Sequence, residues 1–471
     1  MKKTKLTFIA DTHHYSRKLG DNGPAYERRS STDQKCLAET GDIIDKAFEI
    51  IADSDTDALM IVGDLSNDGE RASHEEMIEK LYKLKQKKPV YVTLATHDWC
   101  CDNNARRYDG DSVFRDVDTV KHTELRELYY DFGPSDAKAE FITHLGTSSY
   151  KIEFPNDIVL LSLIDDQDGE GASGFTPDHL EWIINQIKEE TEKGKLVIGM
   201  EHHLLYQHIS PLFSGHGLCC GKHEMYIEKF CEAGMKFVFV GHSHMQRIDR
   251  YVSENGNILY EINVGSLVGY PAPIVNMTVT DKQIRIDTDH LKEFMYNGEI
   301  LSSEYLKEHA TRLITNTLGL ARHGQKEEFV KTLIEFGVGG DIAEKLRPIF
   351  SLLDRFINST SVYTLGTVIN FASFGKTFNK SDLIKLKDKR IIDIVNESFL
   401  SLLDGAVIKH EEGTAYYNVV TSFVHIPNKL LKTLKIRHKK VNFLCDELDN
   451  MIKEIMTGGA IDNNHLKIDR K

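Results

Sequence analysis

Buried strands and amphipathic helices alternate over the first part of the chain. Three short apolar runs, Lys5 to Ala10, Ala58 to Val62 and Val90 to Ala95, have the length and composition of buried strands. Between them, Asp42 to Ala52 and His74 to Lys85 carry apolar side chains at helical spacing. This order predicts βαβ units, in which parallel strands are joined by helical crossovers.

The same character continues to about residue 290. Ile158 to Ile164, Leu196 to Met200 and Phe237 to Val240 are further apolar runs that predict buried strands, and a helix is predicted to begin near Thr176. Three more strand-like runs close this part of the chain: 258–264, 274–280 and 283–287. The pattern therefore predicts an α/β domain over residues 1–290.

From about residue 300 the pattern changes to helical apolar spacing. The segments that carry this spacing are Glu304 to Leu320, Lys326 to Phe336, Ile342 to Ile357, Asp388 to Leu403 and Lys429 to Ile455. This spacing predicts a helical C-terminal domain over residues 300–471. Because these segments contain no catalytic-looking pair of Asp and His residues, we expect the domain to take no part in the chemistry. The polar tail after Gly458 is expected to be frayed.

Five of the predicted strands end in Asp or His residues. The five stretches are Asp11-Thr12-His13-His14, Gly63-Asp64-Leu65-Ser66-Asn67-Asp68-Gly69, Ala95-Thr96-His97-Asp98, Glu201-His202-His203 and Gly241-His242-Ser243-His244. An Asp at the end of a buried strand costs free energy unless a partner offsets its charge. Ligands of open α/β sheets bind at the carboxyl ends of strands, so we expect these side chains to converge. Carboxylate oxygens and imidazole nitrogens suit Mn, Fe or Zn, and the pattern predicts a two-metal site.

Each stretch taken alone is a weak signal. An Asp after a strand is as often a helix cap as a metal ligand, and His202-His203 is also compatible with a packed pair in the core. The stretch Gly241-His242-Ser243-His244 is more specific, because alternate residues of an extended segment can reach two adjacent sites. The metal interpretation requires that all five stretches meet at one edge of the sheet.

Composition narrows the class of protein. The formal net charge of −14 over 471 residues argues against a general nucleic-acid-binding surface. The seven Cys residues are an odd number without a disulfide pattern, so we expect a reducing, cytoplasmic location. No run approaches the roughly 18 apolar residues of a membrane span, and the amino terminus lacks the apolar length of a signal peptide. The oligomeric state stays open.

Taken in order, the five stretches resemble the signature of the calcineurin-like metallophosphoesterases. That signature is Asp-x-His, Gly-Asp-x-x-(Asp/Asn)-x-Gly, Gly-Asn-His-(Asp/Glu), a His after a strand, and Gly-His-x-His. The resemblance implies a two-layer αββα sandwich and two metal sites that share one bridging ligand, Asp64. The implied ligands are Asp11, His13, Asp64 and His244 for one metal, and Asp64, Thr96, His202 and His242 for the other.

The resemblance also implies the roles of residues next to the metals. His97 would contact the phosphate and act as a general acid, and Asn67 falls where the family often has the residue that orients this His. His203 fits a contact to the substrate or to a metal ligand. One departure affects the second metal: the chain has Ala95-Thr96 where the family has Gly-Asn, and a Thr hydroxyl is a shorter and weaker ligand than an Asn amide oxygen.

The implied reaction is metal-dependent hydrolysis of a phosphoester. Within the family, Gly63 to Glu70 is most similar to the branch of cyclic-nucleotide and glycerophosphodiester phosphodiesterases. We therefore expect a small-molecule phosphodiester as substrate, attacked by a hydroxide that two Mn, Fe or Zn ions activate. A phosphomonoesterase or protein phosphatase is an alternative. Another alternative is a non-catalytic scaffold with a weakened metal site. The presence of Thr96 in place of Asn favours this alternative, whereas the retained Asp and His residues argue against it.

Overall fold

Strands alternate with helices up to Ser302, and the described residues after it form helices up to Thr457 and then one last strand. The structure is a computed structural model, and it describes residues 3–208, 218–323, 329–330, 340–433 and 439–470. The strands of this part of the chain are Lys3–Ile9 (β1), Ala58–Val62 (β2), Val90–Thr93 (β3), Arg107–Asp109 (β4), Ser112–Phe114 (β5), Ala139–Ile142 (β6), Ser148–Phe154 (β7), Ile158–Ser162 (β8), Leu196–Met200 (β9), Phe237–Val240 (β10), Arg247–Val252 (β11), Ile258–Asn263 (β12), Pro273–Thr280 (β13), Gln283–His290 (β14), Glu293–Tyr296 (β15), Glu299–Ser302 (β16) and His465–Asp469 (β17). The α-helices are Pro24–Ser30, Thr40–Asp53, Arg71–Lys85, His122–Leu128, Pro177–Glu192, His223–Ala233, Ser303–His323, Gly340–Ser359, Val362–Ala372, Lys380–Lys385, Ile391–Leu403, Ala415–Thr433 and Lys439–Thr457.

The first sheet has six strands in the order β17-β14-β13-β1-β2-β3. Its strands β1, β2 and β3 run parallel, with Ile9 opposite Ile61. The connecting helices Thr40–Asp53 and Arg71–Lys85 bury apolar side chains such as Phe48 against the outer face of this sheet. Burial of one such side chain contributes roughly 1.5–3 kcal/mol. The predicted succession of parallel strands and helical crossovers is confirmed.

The second sheet has seven strands in the order β11-β12-β10-β9-β8-β7-β6. Strands β8, β9, β10 and β12 are parallel, and the flanking strands pair antiparallel. Helices Pro177–Glu192 and His223–Ala233 cover the outer face, where Ile183 and Phe230 pack in one cluster with Val197 and Val238.

The two sheets pack face to face. Phe8 of β1 stacks on Phe239 of β10 with ring centroids 3.5 Å apart. The hydroxyl of Thr93 on β3 donates to the carbonyl oxygen of Leu163 at 3.0 Å. Successive strand residues point to opposite faces, so Phe8 meets the partner sheet while Ile9 packs with the helices. The two-layer αββα sandwich with a helical C-terminal region is confirmed.

The described residues form two compact units. Residues 3–208, 218–309 and 463–470 belong to the first unit, and the described residues between 310 and 462, which are helical, belong to the second. The second unit has its own apolar core, in which Val362, Leu383 and Val419 are buried. None of the described helices has the length and apolar character that crossing a membrane requires.

Two predictions for the C-terminal helices fall partly on residues outside the described ranges. Of the helix predicted over Lys326 to Phe336, only residues 329–330 are described, and they are helical. The segment Lys429 to Ile455 contains the end of one helix, Ala415–Thr433, and most of another, Lys439–Thr457, while residues 434–438 lie outside the described part.

The expectation of a frayed tail after Gly458 is wrong. His465–Asp469 forms β17 and pairs antiparallel with β14, with Leu466 opposite Ile286. Its side chains alternate between exposed and half-buried, which is the pattern of an edge strand with one covered face. The tail thereby completes the first sheet.

Candidate metal centre

The loops that follow the parallel strands meet at one end of the sandwich. In the first sheet, the main-chain nitrogen of His13 donates to the carbonyl oxygen of Asp64 at 2.9 Å. In the second sheet, the nitrogen of Gly241 donates to the carbonyl oxygen of His202 at 3.0 Å. Parallel strands present their carboxyl ends at the same edge. Predicted ligands from four separate strands therefore lie close together.

Two glycines permit this close approach. A Cβ atom on Gly63 would lie 2.3 Å from Nδ1 of His202, and a Cβ atom on Gly241 would lie 2.6 Å from Oδ2 of Asp11. Both distances are far below van der Waals contact, so neither position accepts a side chain without a shift of the site. The glycine before Asp64 and the glycine before His242 are thus required by packing.

Five of the predicted ligands have a left-handed backbone conformation. The φ angles are 51° for Asp11, 37° for His13, 51° for Asp64, 65° for His242 and 58° for His244. Positive φ is uncommon for residues other than glycine, and such strain persists where the surrounding structure holds the residue in place. Its concentration on the predicted ligands marks this edge of the sandwich as a functional site.

The first group of ligand atoms comes from Asp11, His13 and His244. One atom from each lies within 4.8 Å of the other two. The Oδ1 atom of Asp11 is 3.6 Å from Nε2 of His13 and 3.4 Å from Nε2 of His244. The two Nε2 atoms are 3.0 Å apart. A carboxylate and two imidazoles converging in this way form a set of donors that suits a divalent transition metal.

The second group comes from Asp64, His202 and His242. The Oδ2 atom of Asp64 and the Nε2 atom of His202 are 3.0 Å apart, yet neither of these buried atoms has a hydrogen-bond partner. Buried polar atoms without partners call for another ligand, and a cation held by both atoms would supply it. The same Oδ2 atom is 3.7 Å from Nε2 of His13, so Asp64 lies between the two groups.

Outer hydrogen bonds orient two of the imidazoles. Nδ1 of His202 donates to the carbonyl oxygen of Val62 at 3.0 Å, and Nδ1 of His244 donates to Oε1 of Gln34 at 2.8 Å. Each bond keeps the ring proton on Nδ1 and leaves the lone pair on Nε2 for a metal. The residues present therefore fit two divalent cations.

His97 lies beside both groups. Its main-chain nitrogen donates to Oδ1 of Asp64 at 3.0 Å, and its Nδ1 contacts the carbonyl oxygen of Asn67 and, at 3.1 Å, Oδ1 of Asp68. Burial disfavours the charged ring, but the carboxylates of Asp64 and Asp68 outweigh burial and raise the pKa of His97 to about 9. One atom each of His13, Asp64 and His97 also lies within 4.8 Å of the others.

A family model for calcineurin-like phosphoesterases matches residues 4–246, which include every predicted ligand and His97. The chain belongs to this family. Calcineurin-like phosphoesterases depend on two metal ions, in agreement with the two ligand groups described above. No curated protein matches the chain.

Solved structures with a similar fold are distant from this calcineurin-like phosphoesterase. A dimetal phosphatase from Danio rerio is 11% identical with a TM-score of 0.43, and the match covers 61% of this chain and 96% of that one. A purple acid phosphatase from yellow lupin (Lupinus luteus) is 11% identical with a TM-score of 0.37, covering 64% and 53%. The NAD nucleotidase of Haemophilus influenzae is 11% identical with a TM-score of 0.32, covering 66% and 62%. At this distance the similarities carry no argument about function.

Two predicted site residues, Thr96 and His97, lie on the loop after β3. Thr96 opens the short 3-10 helix Thr96–Trp99, and its carbonyl oxygen accepts a hydrogen bond from the nitrogen of Cys101 at 3.0 Å. In the same helix, Asp98 accepts from the nitrogen of Leu65 at 2.8 Å and ties this loop to the loop after β2. The role of Thr96 as a ligand of the second metal stays a prediction, as does the acid role of His97.

The other two predicted residues have contacts that the sequence did not specify. The side chain of Asn67 donates to Oδ2 of Asp68 at 2.9 Å, so Asn67 reaches His97 through its main-chain carbonyl and not through its amide. His203 is buried, its ring centroid is 4.4 Å from that of His242, and its Nδ1 is 2.8 Å from Oδ2 of Asp165. Its predicted substrate contact stays a prediction.

Sequence reasoning missed three side chains that orient predicted site residues. They are Gln34, which is hydrogen-bonded to His244, Asp68, which is hydrogen-bonded to His97, and Asp165, which is hydrogen-bonded to His203. Asp68 offered a signal, since it follows Asn67 within the second stretch. Gln34 and Asp165 offered none, because each lies outside the five stretches.

Proposed function

We propose that this calcineurin-like phosphoesterase is a phosphodiesterase that acts on a small molecule, such as a cyclic nucleotide, with two divalent ions of Mn, Fe or Zn. One observation carries the proposal: the Asp64 carboxylate lies between two groups of ligand atoms, 3.0 Å from His202 on one side and 3.7 Å from His13 on the other. A carboxylate in that position can serve two cations at once.

The two ions would be held by different sets of side chains. Asp11, His13 and His244 would hold the first ion, and His202, His242 and the predicted Thr96 the second, with Asp64 shared. When bound, the ions supply Lewis-acid stabilisation of the phosphoryl oxygens and lower the pKa of water. The outer bonds from Val62 and Gln34 keep two imidazoles in the tautomer that this requires.

His97 would supply the proton for the leaving oxygen. Its Nδ1 is occupied by Asn67 and Asp68, so the transferable proton resides on Nε2. The Asp68 carboxylate, which lies 3.1 Å from Nδ1 and is not a predicted metal ligand, favours the protonated form of the ring. An alkoxide is a poor leaving group without such a donor, so the position of His97 supports hydrolysis of alkyl phosphoesters.

Two further observations support a small diester. From the sequence, the stretch from Gly63 to Glu70 resembles the phosphodiesterase branch of the family, which supports a diester as substrate. The net charge of −14 disfavours attraction of a long polyanion, whereas a small diester carries one negative charge that two cations offset.

The test is a panel of phosphoesters with Mn-reloaded protein. The panel pairs each diester and cyclic nucleotide with the monoester of the same leaving group, and His97→Ala serves as the control for adventitious hydrolysis. The proposal predicts a higher kcat/KM for at least one diester than for its paired monoester. Preference for the monoesters would make the protein a phosphomonoesterase, and a protein that retains no Mn after reloading and hydrolyses nothing would make it a scaffold.

A further inference from the structure

A second cluster of metal-ligand type lies behind the candidate metal centre. Asp165, His203 and Cys220 are all buried, and one ligand atom from each lies within 4.8 Å of the other two. The Oδ2 atom of Asp165 is 2.8 Å from Nδ1 of His203 and 3.3 Å from Sγ of Cys220. An oxygen, a nitrogen and a sulfur thus converge in a buried place.

The main chain holds these three side chains together. Asp165 follows β8 and His203 follows β9, and the nitrogen of His203 donates to Oδ2 of Asp165 at 2.9 Å. Cys220 is brought alongside by two further bonds, from Leu204 nitrogen to Leu218 oxygen at 3.1 Å and from Cys220 nitrogen to Leu204 oxygen at 3.0 Å. Main-chain hydrogen bonds therefore bring these three residues close together, in addition to the rotamers of their side chains.

Buried carboxylate oxygens in this cluster and on the nearby Glu201 lack hydrogen-bond partners. Oδ1 of Asp165 and both carboxylate oxygens of Glu201 are buried without a hydrogen bond, and both residues are 0% exposed. Glu201 lies within electrostatic range of both Asp165 and Cys220. A buried carboxylate without a partner costs several kcal/mol, and a divalent cation removes this cost.

The spacing of the cluster is similar to that of the metal centre. The separations of 2.8 and 3.3 Å to Asp165 compare with 3.0 Å between Asp64 and His202. Zinc bonds of about 2.0 Å to nitrogen and about 2.3 Å to sulfur put tetrahedral ligands roughly 3.3–3.6 Å apart. The two separations to Asp165 are a few tenths of an ångström shorter than these values, so we expect an ion to move the ligands apart by that amount.

We propose that Asp165, His203 and Cys220 bind a zinc ion that is separate from the two ions of the metal centre. A thiolate, an imidazole and a carboxylate in a buried cluster are donors of the kind that hold zinc. Binding releases the thiol proton of Cys220 and the Nδ1 proton of His203 to solvent. The ion joins the ends of β8 and β9 to the segment around Cys220, and His203 keeps a proton on Nε2 on the side of the ring away from the zinc.

The test replaces the bound metals with cobalt in the full-length protein. Thiolate coordination to Co²⁺ gives a charge-transfer absorption in the near ultraviolet that oxygen and nitrogen ligands do not give. We expect this band in the wild type, its loss in Cys220→Ser and its retention in Cys219→Ser, the matched neighbour. Elemental analysis of zinc-loaded protein should show about one ion less per chain in Cys220→Ser than in Cys219→Ser.

The wild-type spectrum decides the matter even where Cys220→Ser folds poorly. Cobalt-loaded wild type without a thiolate band overturns the proposal, as does a band that survives in Cys220→Ser or disappears in Cys219→Ser. Asp64→Asn separates this site from the metal centre: the band must persist in that variant, and its loss would mean that the sulfur ligand belongs to the centre.

Discussion

Nδ1 of His97 lies 3.1 Å from Oδ1 of Asp68, a residue 29 positions earlier in the chain. Asp68 is buried and accepts a second hydrogen bond from the amide of Asn67 at 2.9 Å. The Asp68 carboxylate therefore holds the His97 ring and fixes which nitrogen faces the site. The relationship gives His97 the geometry of an acid with a positioned partner.

His97→Ala should lower kcat by about 10²–10⁴ while the metal content stays that of the wild type, since the change removes an acid–base group and leaves the ligands in place. Steady-state kinetics measures the change in kcat, and elemental analysis of the same preparation measures the metal content. Loss of a metal ion from this variant would mean that His97 is a ligand, which its place within 4.8 Å of His13 and Asp64 also permits.

Asp68→Asn should lower kcat less than His97→Ala does, by about tenfold to a hundredfold, because it removes the group that orients the ring and keeps the ring itself. KM should change little, since Asp68 does not face the substrate. Adding Asp68→Asn to His97→Ala should have almost no further effect. Independent, multiplicative effects in the double variant would show that Asp68 acts on something other than His97.

Thr96→Asn should lower the Mn²⁺ concentration that gives half-maximal activity. An amide oxygen is a better ligand than a hydroxyl and reaches further, so the second metal should bind more tightly. Thr96→Ala is the matched control and should raise the same concentration. An unchanged or higher half-saturating concentration in Thr96→Asn means that Thr96 is not a weak ligand of the second ion.

Glu190→Gln should destabilise the sandwich at neutral pH by about 3 kcal/mol, because Glu190 and Lys151 form a buried ion pair with atoms 2.8 Å apart. Burial opposes ionisation of Glu190, but hydrogen bonds from Lys151, Lys195 and Lys193 outweigh it and lower the pKa from 4.5 to about 2. A depressed pKa contributes stability that is present above pH 4.5 and is lost as the pH falls towards 2.

Urea midpoints measured at several pH values check this prediction. The difference between wild type and Glu190→Gln should be largest at neutral pH and shrink as the pH falls below 4.5, the ordinary pKa of Glu190. The double variant Lys151→Met/Glu190→Leu should lose less stability than the single one, because it leaves no buried charge alone. A pH-independent difference would show that the ion pair does not carry the effect.

The parts of the fold that follow from local pattern could be predicted from the sequence. The apolar run that ends in Val62 has the length of a buried strand, and Asp64 after it has no local reason to be buried without a charged partner. Parallel pairing then brings Asp64 to the same edge as Asp11. The strand His465–Asp469 also carried a period-two signal in Leu466 and Ile468, but its polar neighbours obscured that signal.

Contacts between distant positions could not be predicted in this way. Asn67 and Asp68 are adjacent, and only the path of the loop decides that the carboxylate of Asp68, not the amide of Asn67, meets His97. His203 and Asp165 are 38 residues apart, and no local pattern relates them. Such partnerships depend on how the strands are ordered across the sheet.

We propose that Asp64 joins two metal ions in one hydrolytic centre. The most direct measurement is hydrolysis of a model phosphodiester by metal-stripped protein before and after addition of Mn²⁺, for the wild type and for Asp64→Asn. We predict no activity in the stripped wild type, recovery on addition of Mn²⁺, and no recovery in Asp64→Asn, because a neutral amide cannot offset two cations. Full activity of the stripped wild type, or recovery of Asp64→Asn to the wild-type rate, would contradict this claim.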